Sequence, residues 1–491
     1  MQIINIITAL SPIILCALLI IIFKRTTLFA AFSAIVLALL LVAFNSGLNI
    51  DQDRLALIIK GSMILTLSVA MVIIPGLYLN AVLRAKGIVG DLVLWIESLP
   101  LNYERKALLL LLGVLPALES LTGFGVSLFL GVPIFFHLFE DKKAYKLSML
   151  GMNIMPWGTL AIATTIGASL SGYSVTQLGT KTALTSFLIF PLIGLIGLHV
   201  IGGTSLLLKR GVIAIFFGLG LSTLLYFFSS INFVEIAGIL SGGIVAIFAY
   251  FLLRQKNTNS NLFSPNTRRA LFPYALILLL ILITRTVDPI HQFLAQNLLL
   301  NSGKISYSFL TSPGIILAIV AIAMQLNRPV IIEYHTIVKR AKTAILSLFC
   351  FIVLAQIMNQ SGMISLMTEA LKESQHKVSW AVILVAPLLA MVSGFMTGSN
   401  LGGNALAMTV QQQIGANLDQ GLLFSAIQNS GAGHTAFTSL PIIILIMTIA
   451  KDVNKKGNDH ETIVEHDLLR FGLKAAALVY FTLLTILLCN V

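Results

Sequence analysis

The stretch Leu115-Pro116-Ala117-Leu118-Glu119-Ser120-Leu121-Thr122-Gly123-Phe124-Gly125 sits inside an apolar run and interrupts it with a proline, a carboxylate, two hydroxyls and two glycines. In hydrocarbon an unsatisfied backbone group is costly, so irregular backbone persists only where protein or a water-filled cavity surrounds it. An ionisable residue at such depth marks a functional site by default. A second interruption lies far down the chain, at Ser393-Gly394-Phe395-Met396-Thr397-Gly398-Ser399-Asn400. Paired interruptions in two halves of a chain point to a carrier's binding site.

The 491 residues are 57% hydrophobic and only 10% charged, against about 25% charged in soluble domains. The apolar residues come in continuous runs long enough to cross a bilayer as helices, not in the short alternating segments of an outer-membrane barrel. The fold class expected is therefore an all-α polytopic membrane protein. Cys16, Cys350 and Cys489 lie singly in apolar runs and read as buried small hydrophobes. The net charge of +12 comes from basic residues in short loops. These read as orientation signals, not as a surface for nucleic acid. The first run, Ile4 to Phe23, lacks the basic start and the cleavage site of a signal peptide.

About twelve transmembrane helices are expected, plus two re-entrant hairpins. Residues 1–200 form a first repeat, with a hairpin at 107–139 and a broken span at 147–170. Two connecting spans and a cytoplasmic loop fill 201–270. Residues 271–491 form a second repeat, with a hairpin at 378–415 and a span at 421–450 broken at Asn429-Ser430-Gly431-Ala432-Gly433-His434. The landmarks recur in order: Pro116 and Pro387, Thr122-Gly123 and Thr397-Gly398, Asn153 and Asn429. An odd number of crossings separates them, so the second repeat is inverted.

The basic residues check this topology. Arg54, Lys60, Lys181, Arg285, Lys304, Lys372 and Lys377 fall on one side. A far more numerous set, including Lys24-Arg25, Lys142-Lys143, Lys209-Arg210, Lys256, Arg268-Arg269 and Lys455-Lys456, falls on the other, and Lys474 begins the last span. By the positive-inside rule both termini lie outside, and only hairpins that do not cross preserve the bias. Arg285, Asp288 and Glu235 sit near span ends, where a local ion pair is the simpler reading.

Each hairpin turn is expected to present free backbone N–H groups at the start of its second arm, and a helix start attracts anions. Neither turn contains a cation. Gly123, Gly125, Gly398, Gly402 and Gly403 let a ligand approach the backbone. Thr122, Asn153, Thr397, Ser399, Asn400, Asn404, Asn429 and Ser430 offer hydrogen bonds to a hydroxyl or carboxylate. The competing reading makes the same small polar residues helix-packing contacts. A carboxylate at membrane depth costs about 2.5–3.5 kcal/mol on insertion scales. Glu119 has two readings. It carries the coupling proton, since protonation lowers its repulsion of an anion, or it caps the amides of the second arm. His434 is a proton switch or a neutral core residue. No metal or cofactor is expected, since there is no GxxxxGK[ST] phosphate loop and no HExxH pair. No enzyme signature is present.

At these residues the chain resembles the L-lactate permease family. The similarity lies in Leu118-Glu119-Ser120-Leu121-Thr122-Gly123-Phe124-Gly125, in Thr397-Gly398-Ser399-Asn400-Leu401-Gly402-Gly403-Asn404-Ala405-Leu406, in Asn429-Ser430-Gly431-Ala432-Gly433, and in Glu465-His466-Asp467-Leu468-Leu469-Arg470-Phe471. The resemblance implies import of lactate or glycolate by proton symport across the bacterial cytoplasmic membrane. Its partners would be a small carboxylate anion, protons and the lipid bilayer. The chain departs from the family pattern at Ser120, Thr122, Asn400 and His434, which fall in the expected pocket. A sodium-coupled importer of di- or tricarboxylates is the second carrier reading. The sequence carries no signal for an oligomeric state.

Overall fold

The computed structural model describes residues 2–490 apart from 124, 255–263, 304, 374–376 and 455–464. Phe124 of the first interruption and Lys256, Lys304, Lys455 and Lys456 of the charge pattern lie outside the described residues. The described chain is almost wholly α-helical. Nine of its helices are long and apolar enough to cross a bilayer. Many large side chains along them stay exposed, Phe32, Phe216, Phe248 and Phe481 included. Lipid is their natural surrounding. The chain is an all-α polytopic membrane protein.

The twelve crossings expected from the sequence exceed that count, and the helices show where the two differ. Ile7–Ile21 and Pro313–Asn327 are apolar but short. The segment 141–171 is broken into two helices. Ile189–Ser230 reads as one helix but carries non-helical backbone at Gly202 and Gly203. A Cβ on Gly218 would meet Pro191 Cα at 2.5 Å, and one on Gly194 would meet Ala214 Cβ at 3.1 Å. The chain therefore folds back at Gly202-Gly203 into two antiparallel helices. Conversely, Trp380–Thr397 is among the nine and is the first arm of the second hairpin.

Both interruptions are helical hairpins. The first arm runs through Tyr103–Leu109, a wide turn at Leu110–Val114, and Leu115–Thr122. The second arm is Val126–Leu138. A Cβ on Gly131 would touch Leu115 Cδ1 at 3.1 Å, so the arms run side by side. Pro116 explains the wide turn. It has no N–H to continue the helical ladder, and the turn before it opens to the i→i+5 pattern, with Leu115 N–H donating to Leu110 O. The second hairpin pairs Lys377–Thr397 with Asn400–Ala416. Gln411 Nε2 ties its arms by donating to Ala386 O at 2.6 Å.

Each hairpin is followed by a broken segment. Asp141–Leu150 and Gly158–Ser171 flank a 3₁₀ turn at Met155–Trp157. Thr159, Leu160 and Ala161 follow at φ 50°, 56° and 55°. Three consecutive non-glycine residues in the left-handed region carry strain that the surroundings must hold in place.

The second break differs from the expectation. Asn429 to His434 lie inside an unbroken helix, Gly421–Thr435, and the break comes at Ala436–Thr438. The glycines do not break this helix because neighbours pack on its bare backbone. A Cβ on Gly433 would meet Pro156 Cδ at 2.7 Å, and one on Gly431 would meet Ala390 Cβ at 2.7 Å. The break belongs to Pro441, which lacks an N–H and is tolerated only at the start of the next helix, Leu440–Asn454.

One further feature departs from the sequence reading, and the ion pair expected near the span ends is present. A small antiparallel ladder joins Leu299–Ser302 to Ile305–Ser308, turning at Gly303 with φ 57°. Arg285 pairs with Glu235 and not with nearby Asp288: its Nε and Nη2 donate to Glu235 Oε2 at 2.9 and 2.7 Å.

Candidate functional site

Asn429 is a buried hub. Its Oδ1 accepts from Asn400 Nδ2 at 2.9 Å and from Asn404 Nδ2 at 2.8 Å. Its Nδ2 donates to Thr164 Oγ1 at 2.8 Å and Thr182 Oγ1 at 3.0 Å. Asn400 and Asn404 share one face of the second hairpin arm because they are four residues apart. Thr164 comes from the broken segment and Thr182 from the helix Val175–Thr185. Elements far apart in sequence thus converge on one amide.

A carboxamide has two donors and two acceptor lone pairs. Asn429 uses all four. Asn404 Nδ2 gives its second proton to Ala163 O at 2.9 Å. Among the described residues, the Oδ1 atoms of Asn400 and Asn404 are buried and have no partner. Leaving a buried acceptor unsatisfied costs about 1–3 kcal/mol, so each calls for an O–H or N–H donor.

Ser430 and His434 lie further along the same helix in a second set of contacts. Ser430 Oγ is 2.5 Å from Thr185 Oγ1 and 3.0 Å from Ser186 Oγ. Ser186 Oγ is 2.9 Å from His434 Nε2. Phe190 packs edge-on against the His434 ring, with centroids 5.3 Å apart.

The first hairpin corrects the expectation of free amides. Glu119 Oε1 accepts from Gly125 N–H at 3.2 Å. Its Oε2 accepts from Ser127 N–H at 3.3 Å and Ser127 Oγ–H at 2.7 Å. Val126 N–H donates to Gly123 O, and Gly123 N–H to Glu119 O. The described N–H groups of this turn are all engaged, and the chain's own carboxylate sits where an external anion would bind. The second turn is different: Ser399 precedes Asn400–Ala416 with no side-chain cap.

The other expected residues serve the backbone here. Thr122 Oγ1 donates to Leu118 O. Thr397 Oγ1 donates to Ser393 O and Ser399 O. Asn153 Nδ2 donates to Leu111 O and Leu150 O. Gly123 stands at φ 63°, ψ −162°, a backbone region open essentially to glycine alone. A Cβ there would lie 1.6 Å from Thr159 Oγ1. Gly398 repeats the φ of 63°. The structure brings Asn400, Asn404 and Asn429 together, links Ser430 to His434, and holds Glu119 and Gly125 in a separate contact of their own. Among the described residues no group of three or more His, Cys, Asp or Glu gathers.

A family model described as L-lactate permease matches residues 5–489. The chain belongs to the L-lactate permease family. A curated L-lactate permease from Streptococcus iniae is 24% identical over 451 residues, covering 86% of this chain and 93% of the relative. The family is one of transporters, not enzymes.

In this member of the L-lactate permease family, Thr164, Thr182, Thr185, Ser186 and Gln428 are site neighbours that the sequence reading passed over. Gln428 Nε2 donates to Ser393 Oγ and Gly403 O. Their signal was present as hydroxyls three or four residues apart, Thr182 with Thr185 and Ser186. Helix-packing hydroxyls have the same spacing. A cavity of about 590 Å³, lined in part by Ser171, Gln356, Thr409 and Gln413, opens just over one helical turn beyond Asn404.

Proposed function

We propose that the chain imports lactate or a related small 2-hydroxymonocarboxylate such as glycolate, by proton symport across the bacterial cytoplasmic membrane, with both termini outside. The observation that carries this is the pair of buried, unpartnered oxygens of Asn400 and Asn404. A 2-hydroxy acid supplies one of the two missing donors through its hydroxyl. Its carboxylate turns to the uncapped start of Asn400–Ala416, where backbone N–H groups and the helix dipole favour an anion. Family membership supports a monocarboxylate and gives no support to the di- or tricarboxylate reading.

Glu119 supplies the coupling in this reading. Its carboxylate occupies the N–H groups of Gly125 and Ser127 as a substrate carboxylate would. Protonation removes its charge and weakens its hold on those donors. The first turn then becomes attractive to an anion only when the proton is bound. Proton and substrate each raise the affinity for the other, which is the thermodynamic content of symport. His434, linked through Ser186 to Ser430, the residue next to Asn429 in the chain, is the second candidate proton carrier. The two hairpins belong to an inverted repeat that brings their turns toward the membrane midplane.

Uptake of labelled lactate into proteoliposomes tests the reading. An inward proton gradient should drive accumulation, sodium replacement should leave it unchanged, and propionate, which lacks the hydroxyl, should compete poorly. Accumulation that needs sodium and ignores the proton gradient would overturn it.

A further inference from the structure

The amide orientations around Asn429 are fixed by two backbone carbonyls, and a carbonyl can only accept. Pro156 O, released in the break at Met155–Trp157, accepts from Thr164 Oγ–H at 2.6 Å. That commits the only proton of the Thr164 hydroxyl. Toward Asn429, Thr164 is then an acceptor alone, and Asn429 must present Nδ2 to it. Asn429 Oδ1 consequently faces the other way and receives Asn400 and Asn404. Ala163 O fixes the same sense from the opposite end, because it takes Asn404 Nδ2. The outcome is directional: both free atoms at the end of the chain are acceptors.

We infer that Thr164 is a specificity-determining residue that sets the donor–acceptor sense of the pocket, with Thr182 as a second acceptor for Asn429 Nδ2, making it select a 2-hydroxy acid over a 2-oxo acid. This rests on the reading of Asn400 and Asn404 as acceptors for the substrate hydroxyl. Neither threonine needs to touch substrate; they act by positioning Asn429. A 2-oxo acid of the same length offers an acceptor where the pocket also offers acceptors, and the mismatch leaves buried groups unpaired. A site built to bond a hydroxyl rejects analogues without it strongly. With the threonine acceptors gone, Ala163 O acting through Asn404 is the remaining anchor of that sense, and an Asn429 that rotates offers Nδ2 to Asn400. Asn400 can then rotate its own Nδ2 toward the ligand and accept an oxo group.

The test is the ratio of kcat/KM for lactate to that for pyruvate, measured by uptake with full-length protein in proteoliposomes. The wild type should favour lactate. Thr164→Val and Thr182→Val remove one acceptor each and keep the side-chain shape. Each should lower the ratio, and the double variant should lower it by about ten-fold or more. Thr164→Ser keeps the hydroxyl and should keep the ratio. Thr182 makes no other side-chain bond among those described, so its variant gives a readout if Thr164→Val fails to fold. Valine variants that lose lactate and pyruvate uptake in equal proportion, or keep the wild-type ratio, would overturn the inference while leaving the transport reading intact. A wild type that takes up both acids equally would sink the hydroxyl-acceptor reading and this inference with it.

Discussion

The side-chain amide of Asn153 donates to the carbonyl of Leu111 at 2.9 Å, across the first hairpin arm and the break that follows it. Leu111 needs that donor because of Pro116. In the widened turn the partner of Leu111 O would be the N–H of residue 116, and proline has none. Asn153 repairs the gap. Replacing it with alanine should cost about 1–3 kcal/mol, the penalty for a buried carbonyl left alone, seen as a lower melting temperature of the purified protein. Pro116→Ala restores a backbone donor, so Asn153→Ala should cost less in that background. A double-mutant cycle reads the coupling directly. Additive effects would refute the link.

The two turn glycines should differ in tolerance. Both stand at φ 63°. At Gly123 an added Cβ would lie 1.6 Å from Thr159 Oγ1, while at Gly398 the nearest atom is Ser439 Oγ at 3.1 Å. Gly123→Ala should abolish a folded, monodisperse product, and Gly398→Ala should yield protein of reduced stability. Thr159→Gly should partly rescue Gly123→Ala, since it removes the clash but not the backbone strain. Equal yields from the two single variants would contradict the packing.

The general architecture was legible because lipid imposes a simple rule: long apolar runs become helices. The interruptions at Pro116 and at Gly123 and Gly398 follow from local chemistry. The break in the last broken segment was less legible. Asn429 to His434 look like an interruption by composition, yet glycine backbone packed on Pro156 and Ala390 keeps the helix intact. The partners of Asn429 were out of reach for a different reason. Thr164 and Thr182 lie more than two hundred residues away, and no local pattern separates a hub contact from a packing hydroxyl. Glu119 was recognisable as a buried carboxylate. The capping reading named the amides of the second arm, and the structure shows which they are: Gly125 and Ser127, with the Ser127 hydroxyl beside them.

The hub should be intolerant of truncation. Asn429→Ala removes four hydrogen bonds and leaves the amides of Asn400 and Asn404 short of an acceptor. Lactate uptake should fall below a tenth of wild type. Asn404→Ala removes one free oxygen and one tie to Ala163. It should narrow the preference for lactate over propionate as well as slow uptake. Wild-type discrimination in Asn404→Ala would move the hydroxyl contact elsewhere.

Glu119 permits a test that separates capping from coupling, because Ser127 contributes to the first and carries no titratable group. Ser127→Ala removes the shortest bond to the carboxylate, at 2.7 Å, and leaves the two backbone donors in place. A hydrogen bond to a charged group contributes about 1.5–3 kcal/mol, so this variant should melt earlier yet still accumulate lactate against its gradient. Glu119→Gln keeps the shape and removes the site where the proton would bind. It should bind lactate with little dependence on pH and exchange it across the membrane. It should not concentrate lactate under an inward proton gradient. If Glu119→Gln still accumulates lactate, the carboxylate is a cap alone. The proton must then travel by His434 and its hydroxyl neighbours, and His434→Gln becomes the variant that fails.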